Sequence, residues 1–178
     1  MATALWKRID IPGRDAAVLT DEAGSLRLEG MAMFTAAPDH QVTVSYQVQL
    51  AQDGALWAQI DGCRGKDRFS HLILREAQGW TLDGVCMGLR HLRHLTLGFT
   101  PATSVLLMRK EAICVTSAVG IPAAYFDIGQ TKLTERPQHF RRRDRELYDY
   151  STPDRSTMLR VAGDGFIHQD PGLWQREA

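Results

Sequence analysis

The side chains able to do chemistry are scattered along the chain, and their spacing limits each of them. His91 and His94 stand three apart in His-Leu-Arg-His, which would put two imidazoles on one face of a helix. Metal ligation needs a third ligand and partners that orient the rings, and no further His, Asp or Glu cluster adjoins the pair, so no metal is assigned. Arg141, Arg142 and Arg143 form a basic run suited to phosphate, but Asp144 and Glu146 neutralise it at once, which fits a solvated edge better. Ser104, Ser117 and Ser156 lie outside any Gly-x-Ser-x-Gly, and the chain has no phosphate-binding glycine loop, dinucleotide fingerprint or His-Glu-x-x-His. Asp164 in Ala-Gly-Asp-Gly reads as a hairpin turn residue rather than a catalytic carboxylate. The expectation is no catalytic residue and no cofactor.

Positioning any such groups falls to short strands. Gln41 to Leu50 alternates Val42, Val44, Tyr46, Val48 and Leu50 with five polar residues, so one face is dry and the other wet. Ala16 to Thr20 and Ser25 to Phe34 flank the turn-rich Asp21 to Gly24; Asp53-Gly54 precedes Leu56 to Asp61, and Gly62 to Lys66 turns before Arg68 to Glu76. Val85 to His94 fits a short helix or a continued strand. Leu95 to Lys110 reads as two strands around a turn: Leu95, Leu97 and Phe99 alternate with polar residues, Pro101 breaks the ladder, and Val105 to Met108 resumes an apolar run. Ile113 to Val119 and Ala123 to Ile128 read as strands, and Tyr148 and Tyr150 share the parity of an interior face. Thr157 to Val161 and Phe166 to His168 make a last hairpin about Ala162 to Gly165. Turn signals every ten or so residues without a long helical period predict a mainly β fold: a highly curved antiparallel sheet or incompletely closed β-barrel with little helix.

The 178 residues suit a single domain, 1–178, that buries about 70% of its unfolded surface. The formal net charge of zero gives no global field toward nucleic acid or an anionic membrane. Cys63, Cys86 and Cys114 are odd in number and far apart, which reads as reduced, buried thiols. No signal-peptide core opens the chain and no run approaches a membrane span, so a cytoplasmic protein without stable membrane insertion is expected. Whether the curved sheet encloses a filled core or a ligand cavity stays open at this level.

Several segments, in order, resemble one family of bacterial proteins, the putative glycolipid-binding proteins, formerly classed as a domain of unknown function. Gly98-Phe99-Thr100-Pro101-Ala102-Thr103 is similar to that family's Thr-Pro-Ala-Thr turn, with Arg109 in the place of its following arginine. Tyr46, Trp57 and Gly79-Trp80 resemble its spaced aromatic positions, and Gln138-His139-Phe140-Arg141-Arg142 its Gln-x-Tyr-x-Arg motif. Tyr148-Asp149-Tyr150 resembles its paired tyrosines, and Gly165 to Pro171, Leu173 and Arg176 its terminal hairpin. The chain departs from the pattern at Thr96, usually acidic, at Ser104, usually asparagine, over Val105 to Lys110, and at Phe140, where a tyrosine hydroxyl is lost.

The resemblance implies an incompletely closed barrel like that of bacterial lipoprotein carriers, with a nonpolar cavity for a glycolipid or another amphipathic, lipid-like small molecule. The residues it marks for ligand contact are Tyr46, Trp57, Trp80, Thr100, Thr103, Arg109, Gln138, Arg142, Tyr148 and Tyr150. Two alternatives stand beside it: an enzyme acting on a hydrophobic substrate in the same cavity, with Thr100 to Ser104 at its mouth, and an interaction protein with a filled core.

Overall fold

Strict alternation of apolar and polar residues makes strands with one buried face, and successive hairpins carry that face around a common interior. The computed structural model describes residues 1–37 and 40–178. Its strands run β1 (Ala2–Arg8), β2 (Gly13–Glu22), β3 (Ser25–Ala37), β4 (His40–Leu50), β5 (Leu56–Arg64), β6 (Asp67–Glu76), β7 (Gly79–Leu82), β8 (Val85–Gly88) and β9 (His94–Leu97). The helix α1 (Ser104–Glu111) follows. Then come β10 (Ala118–Gly120), β11 (Ala123–Phe126), β12 (Thr134–Arg136), β13 (His139–Arg142), β14 (Leu147–Thr152), β15 (Arg155–Val161), β16 (Ile167–Asp170) and β17 (Trp174–Arg176).

Fourteen strands form one curved antiparallel sheet in the order β10-β13-β14-β15-β16-β17-β1-β2-β3-β4-β5-β6-β7-β8, with β10 and β8 as edges, so the sheet does not close into a barrel. A second sheet of three strands, β12-β11-β9, contains a parallel pair, Ala123 to Phe126 of β11 against His94 to Leu97 of β9. The alternation read in β4 is the alternation observed: Val42, Val44, Tyr46, Val48 and Leu50 are all buried. Phe99, Ala102, Val105 and Leu106 pack with these residues in the larger core cluster, together with Leu95, Leu97, Ala124 and Phe126. A smaller cluster joins Leu107 to Phe140, Tyr148, Leu159, Val161 and Ile167. The helix thus lies between the two halves of the large sheet and is apolar on both sides.

Four expectations are corrected. Val105 to Met108 is helical, not a strand, because its side chains are divided between two core clusters rather than between a core and solvent. α1 has no side-chain cap and no acidic residue in its first turn, so at eight residues its stability comes from packing. Strand pairing after it is limited to Ala118–Gly120 instead of Ile113 to Val119. Cys86 and Cys114 are exposed and Cys63 is half-buried, so the thiols are free but not buried. His91 and His94 sit on a turn and a strand rather than one helix face, and they meet different carboxylates: Glu135 at 2.9 Å and Glu111 at 2.8 Å. Burial lowers the pKa of His94 against the opposing pull of Glu111. No helix among the described residues is long and apolar enough to cross a membrane.

Candidate functional site

The segment from Gly98 to Thr103 enters the concave face of the large sheet and is fixed there by a buried carboxylate. Asp15 belongs to the inward parity of β2 with Ala17 and Leu19, and it is only 1% exposed. The Tyr46 hydroxyl donates to it, 3.0 Å from each oxygen, and Thr100 Oγ1 donates to Oδ2. Thr100 Oγ1 in turn accepts the Ala102 N–H at 3.0 Å, and Thr103 Oγ1 accepts the Leu97 N–H at 3.3 Å. Tyr46 reaches this position across Gly30, where a Cβ would lie 2.2 Å from the phenol oxygen. Burial pushes the Asp15 carboxyl up to about 7, against the lowering effect of its hydrogen bonds from Thr100, Tyr46 and the Ala16 backbone.

On the other side of Thr100 a pocket of about 260 Å³ opens between the two sheets. Its apolar wall comes from Leu97, Pro101, Phe140, Leu159, Ile167 and Leu173; its polar wall comes from Thr96, Ser104, Asp127, Gln138 and Asp170. Three arginines line it, and each lies over an aromatic ring. Arg8 is 5.3 Å from the Trp174 centroid, Arg136 is 4.8 Å from that of Tyr125, and Arg155 is 6.0 Å from that of Tyr150. Stacking of this kind holds a planar guanidinium in place while leaving its in-plane N–H groups free to bond. The Tyr150 hydroxyl donates to Gln138 Oε1 at 2.9 Å, and Gln138 Nε2 donates to Thr96 Oγ1 at 3.3 Å, so a hydrogen-bonded chain crosses the floor. Tyr125 donates to Asp127 Oδ2 at 3.1 Å; burial first and that carboxylate second push its phenol up to about 12. A cleft just below the ~300–1,000 Å³ usual for small-molecule sites, with aromatic rings beside paired charges, suits one polar ring better than a whole acyl chain.

Gly98 makes room for this wall. A Cβ there would lie 2.2 Å from the Tyr125 hydroxyl and 2.6 Å from Asp127 Oδ2. Gly98→Ala is therefore expected to cost about 1–3 kcal/mol, the usual range for overpacking, by urea denaturation. An unchanged midpoint would show that Tyr125 can leave at no cost.

Of the residues marked from sequence, Thr100, Gln138 and Tyr150 line the pocket. Tyr46 and Thr103 lie directly behind its floor and hold the entering segment. The structure does not bring the others to it. Trp80 is wholly buried and donates to the Leu92 carbonyl at 3.0 Å. Trp57 is on the outward parity of β5, where its Nε1 donates to Gln49 at 3.0 Å. Arg109 donates to the Asp164 carbonyl at 2.9 Å. Arg142 donates to the carbonyls of Ile113, Asp144 and Arg145 and lies 5.4 Å from the ring centroid of the buried Tyr148. These four arrangements bind the chain to itself.

Sequence reasoning passed over Asp15, Arg8, Tyr125, Asp127, Arg136, Arg155, Asp170 and Trp174. Two of them carried a readable signal. Asp15 breaks the inward apolar series of Ala17 and Leu19, and Arg155 breaks that of Leu159 and Val161; a charged group on a dry face needs a partner. For Arg8 and Arg136 nothing in the sequence separates a pocket arginine from a surface one, and Tyr125 and Trp174 read as ordinary strand aromatics.

A family model described as putative glycolipid-binding matches residues 3–176. The crystal structure of a DUF1089 family protein from Pseudomonas aeruginosa superposes with a TM-score of 0.79 at 19% identity, covering 92% of this chain and 91% of that one. At that identity the likeness speaks for the fold. No curated protein matches the sequence. The family match spans both the entering segment with Thr100 and every strand that lines the pocket, and on that extent the chain belongs to the putative glycolipid-binding family.

Proposed function

We propose that this protein binds the sugar head group of a glycolipid, or of a similar amphipathic small molecule, in the pocket between the two sheets and performs no covalent chemistry on it. The observation that carries the reading is the composition of the wall: Tyr125, Tyr150 and Trp174 line it beside Leu173 and Pro101, apolar surface for the C–H groups of a sugar, while Thr96, Gln138, Arg136 and Asp170 offer donors and acceptors to its hydroxyls. The family description points the same way. The interior of the large sheet is occupied by Phe99, Ala102, Val105 and Leu106, so the apolar tail extends away from the pocket rather than into the core. Leu159, Ile167 and Leu173 can meet its first methylenes, each worth about 0.8 kcal/mol if fully buried.

The test is a titration with octyl glucoside below its micellar concentration, read by calorimetry, with glucose alone beside it. Octyl glucoside is expected to bind, and Tyr150→Ala to weaken it at least tenfold, with Tyr150→Phe intermediate through loss of the bond to Gln138. Trp57→Ala, on the outer face, is expected to leave binding unchanged. Failure of every alkyl glycoside, neutral or acidic, to bind, or equal losses in the Tyr150 and Trp57 variants, would overturn the reading.

A further inference from the structure

Resting on that reading, we infer that the sugar bound in this pocket carries an acidic group, a carboxylate or phosphate, which Arg136 and Arg155 receive. The pocket holds three guanidiniums against the two carboxylates Asp127 and Asp170, and the carboxylates are already engaged. Asp127 accepts the Ile128 N–H at 2.8 Å through one oxygen and the Tyr125 hydroxyl at 3.1 Å through the other. Asp170 is paired with Arg155. Arg8 is taken up by both oxygens of Asp10, at 2.9 and 3.2 Å. What remains uncommitted is donor capacity.

Most of it sits on Arg136. This side chain is stacked on Tyr125, and its ion pair is a single 3.3 Å contact to Asp154, whose side chain is 71% exposed. A pair of that kind is weak and solvent-screened, so apart from a bond to the Tyr150 hydroxyl the guanidinium, ordered by the ring, keeps N–H groups for a ligand. Arg155, over the ring of Tyr150, is paired with Asp170 through one terminal nitrogen, and its buried Nε has no hydrogen-bond partner among the described residues. The phenol between them records both charges: burial raises the Tyr150 pKa, while Arg136 and Arg155 pull it back down. Two guanidiniums in one pocket, Arg136 at the Tyr150 hydroxyl and Arg155 over the Tyr150 ring, fit a planar or tetrahedral oxyanion, which accepts from both at once. A neutral sugar leaves those donors unpaired, and a site built to hydrogen-bond a group discriminates strongly against ligands lacking it.

The experiment compares three probes of one chain length by calorimetry: octyl glucuronide, with sugar and acid; octyl glucoside, with sugar only; and octyl phosphate, with acid only. The glucuronide is expected to bind at least tenfold tighter than either of the others, and Arg136→Gln to bring the ratio of glucuronide to glucoside affinity within about twofold of unity. Arg109→Gln, remote from the pocket, is expected to preserve the ratio. Equal binding of glucuronide and glucoside overturns the acidic specificity and leaves the glycolipid reading standing. Equal binding of octyl phosphate and glucuronide shows that the sugar is not read, which overturns both. Absence of binding by all three does the same, and a preference that survives Arg136→Gln overturns the assignment to this arginine.

Discussion

Phe99→Ala is expected to lower the unfolding free energy by about 3–5 kcal/mol, the largest single loss foreseen in this protein. Phe99 is 1% exposed and stands edge-on to Tyr46 with centroids 5.8 Å apart, at the point where the entering segment meets the concave sheet. Its removal leaves a cavity that β-strands paired on both sides cannot close. It also takes away the ring that steadies Tyr46 against Asp15, so the cost reaches the polar contacts behind the pocket floor. Chemical denaturation monitored by tryptophan fluorescence gives the number. A loss below 1 kcal/mol would mean that the segment lies on the sheet without anchoring it.

The second large effect is a pH dependence that runs opposite to ordinary acid denaturation. The folded pKa of Asp15, about 7, lies above the unfolded value of 3.8, so between those limits the native protein holds a proton that the unfolded chain has released. Stability therefore falls as pH rises from about 4 to about 7 and is level beyond, and at about 1.4 kcal/mol per pH unit the Asp15 contribution amounts to about 4 kcal/mol. Asp170, whose pKa burial also raises against the pull of Arg155, adds in the same direction, while Asp144, lowered by the backbone N–H groups of Glu146 and Leu147, opposes it. The difference between the native protein and Asp15→Asn isolates the first contribution. Melting temperatures recorded from pH 4 to pH 8 should fall in the native protein and stay flatter in the variant. Parallel curves would show that Asp15 is ionised throughout.

Which parts of this architecture can be read from residues alone follows from what each side chain faces. β4 is legible because Val42 to Leu50 face a core on one side and a polar surface on the other, and that difference is written in the alternation. The helix is not, because Val105, Leu106 and Leu107 are buried on successive positions between two core clusters, which erases the amphipathic period that distinguishes helix from strand. The Thr-Pro-Ala-Thr turn adjoins the pocket, with Thr100 between it and Asp15. The pocket itself stayed hidden, since Arg8, Arg136, Arg155 and Asp170 come from four strands and meet only through the curvature of the sheet and the position of the smaller sheet within it. Arg109 and Arg142, which the resemblance marks for ligand contact, donate to backbone carbonyls, a partner that local sequence cannot distinguish from a ligand.

The middle of the fourteen-stranded sheet is a junction between the two ends of the chain, with Trp6 of β1 opposite Arg176 of β17. During synthesis the meander β1 to β6 has its pairing partners as soon as each hairpin emerges, whereas the other edge of β1 must wait for β17. Closing that contact carries nearly the full loop entropy of the chain, so it belongs to the late, slow phase of folding. Until then the pocket cannot exist, because Arg155, Asp170 and Trp174 lie on the far side of the junction from Arg8. Ligand competence should therefore arrive in one step with the final strand, and a nascent chain lacking it would present an open concave face to chaperones instead of a binding site.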